Sequence, residues 1–195
     1  MPEPPAPAIG TVHLRNHWDF RTFDPGTIGV FTIIPMSQET VTQAWEVLQD
    51  AYQAQMEGDY EHAVQLYQSS LTIHPTAEAH TFLGWTYHFQ GKLEDAIAEC
   101  KRAITIDPDF GNPYNDIGAY LIELGQFEQA IPWLHQAVDA KRYEPRHFPH
   151  FNLGRAYLGL EMYSQAMRCY QEALNVEPRY SAARQALESL RRAVN

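Results

Sequence analysis

The chain has 195 residues and a formal charge of −10 at neutral pH, with 45% hydrophobic and 19% charged residues. That mixture is ordinary for a globular protein and excludes wholesale disorder. The acidic total argues against a nucleic-acid surface, which needs clustered Lys and Arg, and no apolar run approaches the roughly 20 residues of a membrane helix.

Residues 1–10 are Pro-rich and are expected to form a disordered or extended tail. They show neither the basic stretch nor the apolar core of a secretory signal and hold no cysteine for a lipid, so a cytoplasmic address is expected. Residues 11–36 alternate Val12, Leu14, Trp18 and Phe20 with polar positions. A turn signal, Asp24-Pro-Gly26, then leads into Ile28-Gly-Val-Phe-Thr-Ile-Ile34. This pattern predicts a β-hairpin, and an isolated hairpin needs something to pack on. It would cover the first helical unit, lie in the chain's own groove or await a partner.

From residue 37 the pattern turns helical and repeats. Thr81-Phe-Leu-Gly-Trp-Thr-Tyr, Asn115-Asp-Ile-Gly-Ala-Tyr-Leu and Phe151-Asn-Leu-Gly-Arg-Ala-Tyr align on Gly84, Gly118 and Gly154. A second signature follows each: Gly91-Lys-Leu-Glu-Asp-Ala, Gly125-Gln-Phe-Glu-Gln-Ala and Glu161-Met-Tyr-Ser-Gln-Ala. An earlier copy reads Gly58-Asp-Tyr-Glu-His-Ala. The spacing predicts helix pairs at 38–56 with 60–73, 77–89 with 93–106, 111–124 with 127–140, and 147–159 with 163–176. A last helix at 180–194 presents Ala183, Ala186, Leu187, Leu190 and Val194 at intervals of three and four. Cys100 and Cys169 fall at corresponding points of two non-neighbouring helices, which predicts buried reduced thiols. Pro132 is placed near a helix start, where a missing N–H costs little.

A period near 34 residues, built of two helices and closed by Pro75, Pro108 and Pro178, resembles the tetratricopeptide repeat. The resemblance implies an all-α superhelix, an α-solenoid of four helix-turn-helix units near 44–76, 77–110, 111–146 and 147–178. Residues 179–195 would be the capping helix that such arrays need. Gly84, Gly118 and Gly154 would admit the facing helix, where Ala63, Ala96, Ala130 and Ala166 pack. Tyr67, Tyr87, Leu134, Tyr157 and Tyr170 would fill the remaining gaps. The third unit departs from the pattern: Lys141-Arg-Tyr-Glu-Pro-Arg-His-Phe-Pro-His150 replaces the closing Pro and lengthens the connection. Together with Tyr114-Asn-Asp-Ile-Gly and Asn152-Leu-Gly, that run is similar to the lengthened unit of bacterial pilus-assembly lipoproteins with these repeats.

In such a superhelix the first helix of each pair lines a concave wall. The residues expected there are Trp45 and Tyr52, then Trp85 and His88, Asn115, and finally Phe148, Phe151, Asn152 and Arg155. Aromatic faces mixed with amide and guanidinium donors suit a peptide groove. Asn115 and Arg155 carry most weight, as polar groups that want water or a ligand. The family's chaperone-tail clamp of Lys, Asn and Arg finds Thr81, Trp85, Asp116, Phe148 and Asn152 at its places. Lysines are absent and Asp116 would repel a carboxylate.

No Gly-rich phosphate loop, nucleophile elbow or CxxC pair occurs, and His147 and His150 near Glu144 read as surface residues. The expectation is a non-enzymatic adaptor or scaffold, without cofactor or metal, binding a protein or peptide in its groove. It would be monomeric and stay out of membranes. A structural subunit acting through self-association is the other reading.

Overall fold

The computed structural model describes residues 38–194; the N-terminal tail and the hairpin expected over 11–36 lie outside them. Among the described residues there are nine helices and no strand. They are α1 (Gln38–Glu57), α2 (Tyr60–Ile73), α3 (Ala77–Phe89), α4 (Leu93–Ile106), α5 (Asn112–Glu123), α6 (Phe127–Asp139), α7 (His147–Gly159), α8 (Tyr163–Val176) and α9 (Ser181–Val194). Their ends follow the repeat spacing to within a residue or two.

Local chemistry sets the boundaries. Asp59 accepts from the backbone N–H of His62, and Thr76 from that of Ala79, each satisfying an orphan donor of a first turn. Within each pair the chain reverses through a left-handed residue, which is Gly58, Gly91 or Gly125 in three units. In the fourth, Glu161 takes the same conformation with φ +59. A side chain there is strained.

Pro132 departs from expectation. It is the sixth residue of α6, beyond the turn whose N–H groups are free anyway, so the carbonyl four residues earlier loses its donor. Both groups face solvent, which lets the helix continue.

Each pair closes on small residues. Ala63, Ala96, Ala130 and Ala166 have no exposed surface, and Tyr67, Leu134 and Tyr170 fill the space beside them. Tyr87 and Tyr157 remain only half-buried. A β-carbon at Gly118 would stand 2.5 Å from Leu134, and one at Gly154 would overlap Tyr170. Cys100 and Cys169 are buried free thiols.

The pairs stack in chain order, each second helix packing on the next first helix. The first helices α1, α3, α5 and α7 also touch their counterparts in adjacent units, while successive second helices make no comparable contact. The stack is therefore tighter on the first-helix side, which becomes the inner wall of a superhelix. At its end α9 covers α8 with Ala183, Leu187 and Leu190; Val194, expected to join them, is half-exposed.

The lengthened third connection folds back onto the start of α5. Phe110 and Arg142 form an isolated parallel bridge, with Arg142 N–H donating to the Asp109 carbonyl at 3.0 Å. The N–H of Gly111 donates to the Arg142 carbonyl at 2.9 Å. The Arg142 guanidinium lies 4.2 Å over the Phe110 ring and pairs with Glu78 and Asp107. Tyr143 is buried against Gly111, where a β-carbon would not fit.

A candidate groove on the inner wall

The inner wall is crossed by a chain of side-chain hydrogen bonds spanning three units. Trp85 Nε1 on α3 donates to Asp116 Oδ2 on α5 at 2.5 Å. Asn115 Nδ2 donates to Asp116 Oδ1 at 3.3 Å, and Asn152 Nδ2 on α7 donates to Asn115 Oδ1 at 2.9 Å. Arg155 Nη1 then donates to Asn152 Oδ1 at 3.0 Å. Asn115, Asp116 and Asn152 are buried, at 5%, 5% and 1% exposure.

Donor chemistry dictates the direction of this seam. Indole and guanidinium can only donate, so both ends point inward, and each Asn must accept on one side and donate on the other. The two runs of donors can meet only at a group that accepts twice, and Asp116 is that group. Burial pushes its carboxyl up to about 7, against the hydrogen bonds from Trp85 and Asn115 that hold it down.

The expected wall residues divide accordingly. Trp85, Asn115, Phe151 and Asn152 are on first helices but buried, while Trp45, Tyr52, His88, Phe148 and Arg155 keep part of their surface open. The expectation that Asn115 wants water or a ligand is not met, because its amide is hydrogen-bonded on both sides within the chain. Tyr52 packs on Phe82 with ring centres 5.8 Å apart, and Phe82 meets Trp85 edge-on at 5.4 Å. His88 stacks on Tyr120 at 4.9 Å with Nε2 3.0 Å from Glu123. At the other end Phe151 packs on Tyr170 and Tyr180, and Phe148 meets Tyr180 at 5.7 Å. His147 sits against Phe148 and Tyr180, where burial lowers its pKa.

Sequence reasoning presents Asp116 only as a source of repulsion. A second polar cluster also gives no sequence signal. Buried Glu99 on α4 is held by His80 at 2.7 Å and by Arg102, in a shallow cleft away from the seam.

Comparison with known proteins places these features in a family. Models of the tetratricopeptide repeat match residues 44–78, 77–110 and 109–177. The Hsp70-Hsp90 organising protein of Plasmodium falciparum is 28% identical over 102 residues, covering 52% of this chain and 40% of that protein. Among solved structures, PilF of Pseudomonas aeruginosa superposes with a TM-score of 0.74 at 21% identity, covering 78% of this chain and 69% of that one. PilW, described as a widely conserved type IV pilus biogenesis factor, superposes at 0.67 with 18% identity, over 72% and 64%. These structural likenesses carry the fold, and they include the pilus-assembly proteins that the lengthened third unit resembles. With repeat matches running without a break from residue 44 to 177 on a ladder of paired helices, the chain belongs to the tetratricopeptide-repeat family.

Proposed function

We propose that this chain is a protein-interaction adaptor that binds an extended segment of a partner along its inner wall. The observation that carries this reading is the polar seam from Trp85 to Arg155, bordered by Phe148, Phe151 and Tyr52. A wall whose polar groups hold one another in place, with Arg155 partly open at the end, is preorganised and loses little entropy when a peptide docks. Trp45, Tyr52, His88, Phe148 and Arg155 would touch the ligand, while Trp85, Asn115, Phe151 and Asn152 would hold the surface in shape. Scaffolding fits better than catalysis, since the two cysteines have thiols that burial pushes upward, well above the ordinary range for Cys100 and to about 11 for Cys169. Buried reduced thiols also support placing the chain in the cytoplasm. Among the described residues no helix is long and apolar enough to cross a membrane.

Arg155→Glu is the variant to test. Asn115→Ala would leave Asn152 and Asp116 short of partners and lower stability, whereas Arg155 ends the seam at partly open surface. Affinity capture with mass spectrometry should return a partner for the parent chain and lose it for Arg155→Glu, with circular dichroism showing the helices of the variant still formed although Asn152 loses a donor. Capture that survives the reversal sinks the groove reading.

The exposed arginines of α9 favour one other reading, a structural subunit that self-associates through its end. Deleting residues 179–195 would uncover the apolar face of α8, so Arg191→Glu with Arg192→Glu is the cleaner variant. Sedimentation should give a monomer for parent and variant alike; a parent dimer abolished by the reversal would favour self-association.

A further inference from the structure

The first helices carry a charge gradient that the second helices lack. α1 holds Glu39, Glu46, Asp50 and Glu57 and no Lys or Arg; α3 adds Glu78, and α5 adds Asp116 and Glu123. The sign then changes. α7 holds Arg155 as its only charge apart from histidines, and α9, which packs on α8 as each first helix packs on the preceding second helix, holds Arg184, Arg191 and Arg192 against Glu188. No second helix has a net positive charge. Glu78 is paired with Arg142, Glu123 with His88, and Asp116 is buried in the seam. The open negative charge therefore lies on α1 and the open positive charge of the inner wall on α7, a field that orients a charged ligand before contact.

Arg155 gives that field a specific point of attachment. It is the only Lys or Arg on α1, α3, α5 and α7. It is half-buried, one Nη donates to Asn152, and among the described residues no carboxylate pairs with it. Its remaining N–H groups form a fork that suits a carboxylate, and hydrogen bonds between ions are the stronger kind. Because α9 continues the ladder beyond α7, a bound chain need not end at this point, so a side-chain carboxylate fits better than a chain terminus.

We propose that the inner wall takes an extended peptide in one charge register, with a Glu or Asp side chain on Arg155 and basic residues lying toward α1. This rests on the groove reading above and adds the ligand's chemistry to it. First helices of neighbouring units pack roughly 10 Å apart, so three steps from α1 to α7 span about 30 Å, or about nine extended residues. A partner segment that is acidic throughout would be repelled by α1, whose four carboxylates have no Lys or Arg on that helix. A segment basic at one end with a single acid at the other meets the wall's open charges at both ends.

The probe is a nonapeptide blocked at both ends, Lys-Ala-Lys-Ala-Leu-Ala-Phe-Ala-Glu, with a twin carrying Gln for the last Glu. Each is titrated into nitrogen-15-labelled protein at low salt, and a nitroxide on the lysine end reports position. The Glu peptide should bind about tenfold or more tightly than its twin, shifting the Arg155 Nε–H signal. Arg155→Gln should erase the difference between the two, and the nitroxide should broaden α1 signals while sparing α9. Equal affinity of the twins, broadening at α9, or no binding by about 1 mM peptide overturns the proposal. Twins that bind alike while shifting first-helix signals would remove the charge register and leave the groove. Shifts confined to the second helices would remove both.

Discussion

At the scale of single residues the seam makes Asp116 the most informative position. Its ionised form accepts from Trp85 and Asn115, yet burial raises its carboxyl to about 7 from an ordinary value near 4. The folded state therefore holds a proton that the unfolded chain has already released between those values. Its contribution to stability is fully present below pH 4 and is lost as pH rises through about 7. A carboxyl raised that far corresponds to roughly 4 kcal/mol across that window. Asp116→Asn removes the titration, so chemical denaturation should show the variant gaining on the parent by up to about that amount between pH 4 and pH 8. The cost appears elsewhere: an amide at position 116 reverses Asn115 and Asn152, and the seam then breaks where Asn152 meets Arg155. A pH-independent difference between the two proteins would mean that Asp116 is solvated. None of this was legible from residue types alone, because hydrogen-bond direction depends on which side chains three successive helices bring within 3 Å. The repeat supplied the positions, and the pairing came from the superhelical stacking.

At the scale of elements the helix boundaries were legible, because each depends on chemistry a few residues long. Asp59 and Thr76 cap, Gly58, Gly91 and Gly125 turn, and the alanines fix the spacing of each pair. Two positions follow the fold without the best residue for it. Glu161 occupies the left-handed turn that the other units give to glycine. Glu161→Gly relieves strain of roughly 1 kcal/mol, partly offset by the freedom glycine adds to the unfolded chain, so a gain of about 0.5 kcal/mol is expected from denaturant midpoints. Pro132 reads in the sequence as lying near a helix start, although the repeat spacing puts that start at residue 127 and so makes the proline the sixth residue of α6. It is exposed, so Pro132→Ala loses no packing and restores a backbone donor. Stability should rise by about 1–3 kcal/mol, measured by urea unfolding, and a fall would show that the proline shapes the helix against its neighbours. The third connection is recognisable in the sequence as unusual but not as ordered. What orders it is long-range: Arg142 reaches Asp107, Glu78 and the Phe110 ring, residues that lie in the preceding unit or beside its end.

At the scale of the whole ladder, each unit touches only its neighbours, so stability is a sum of units and interfaces and can fail locally. The fourth unit depends on its cover. Phe151, Ala166, Tyr170 and Ala173 form one apolar cluster with Ala183, Leu187 and Leu190 of α9. Leu187 is 4% exposed, and truncating a buried leucine to alanine costs about 2–5 kcal/mol through lost transfer energy and the cavity left behind. In a globular core that loss would spread through the molecule. Here Leu187→Ala should release α9 and then α7 and α8, because the interface that α9 supplies has no substitute. Hydrogen exchange should accelerate in α7–α9 by at least about tenfold, the factor that a loss of about 1.4 kcal/mol produces, while α2–α4 keep their protection. Since Arg155 and Asn152 stand on α7, the same variant should weaken ligand capture without any change in the wall's own residues. Uniform acceleration from α2 to α9 would instead show that the seam from Trp85 to Arg155 couples the units into one cooperative body.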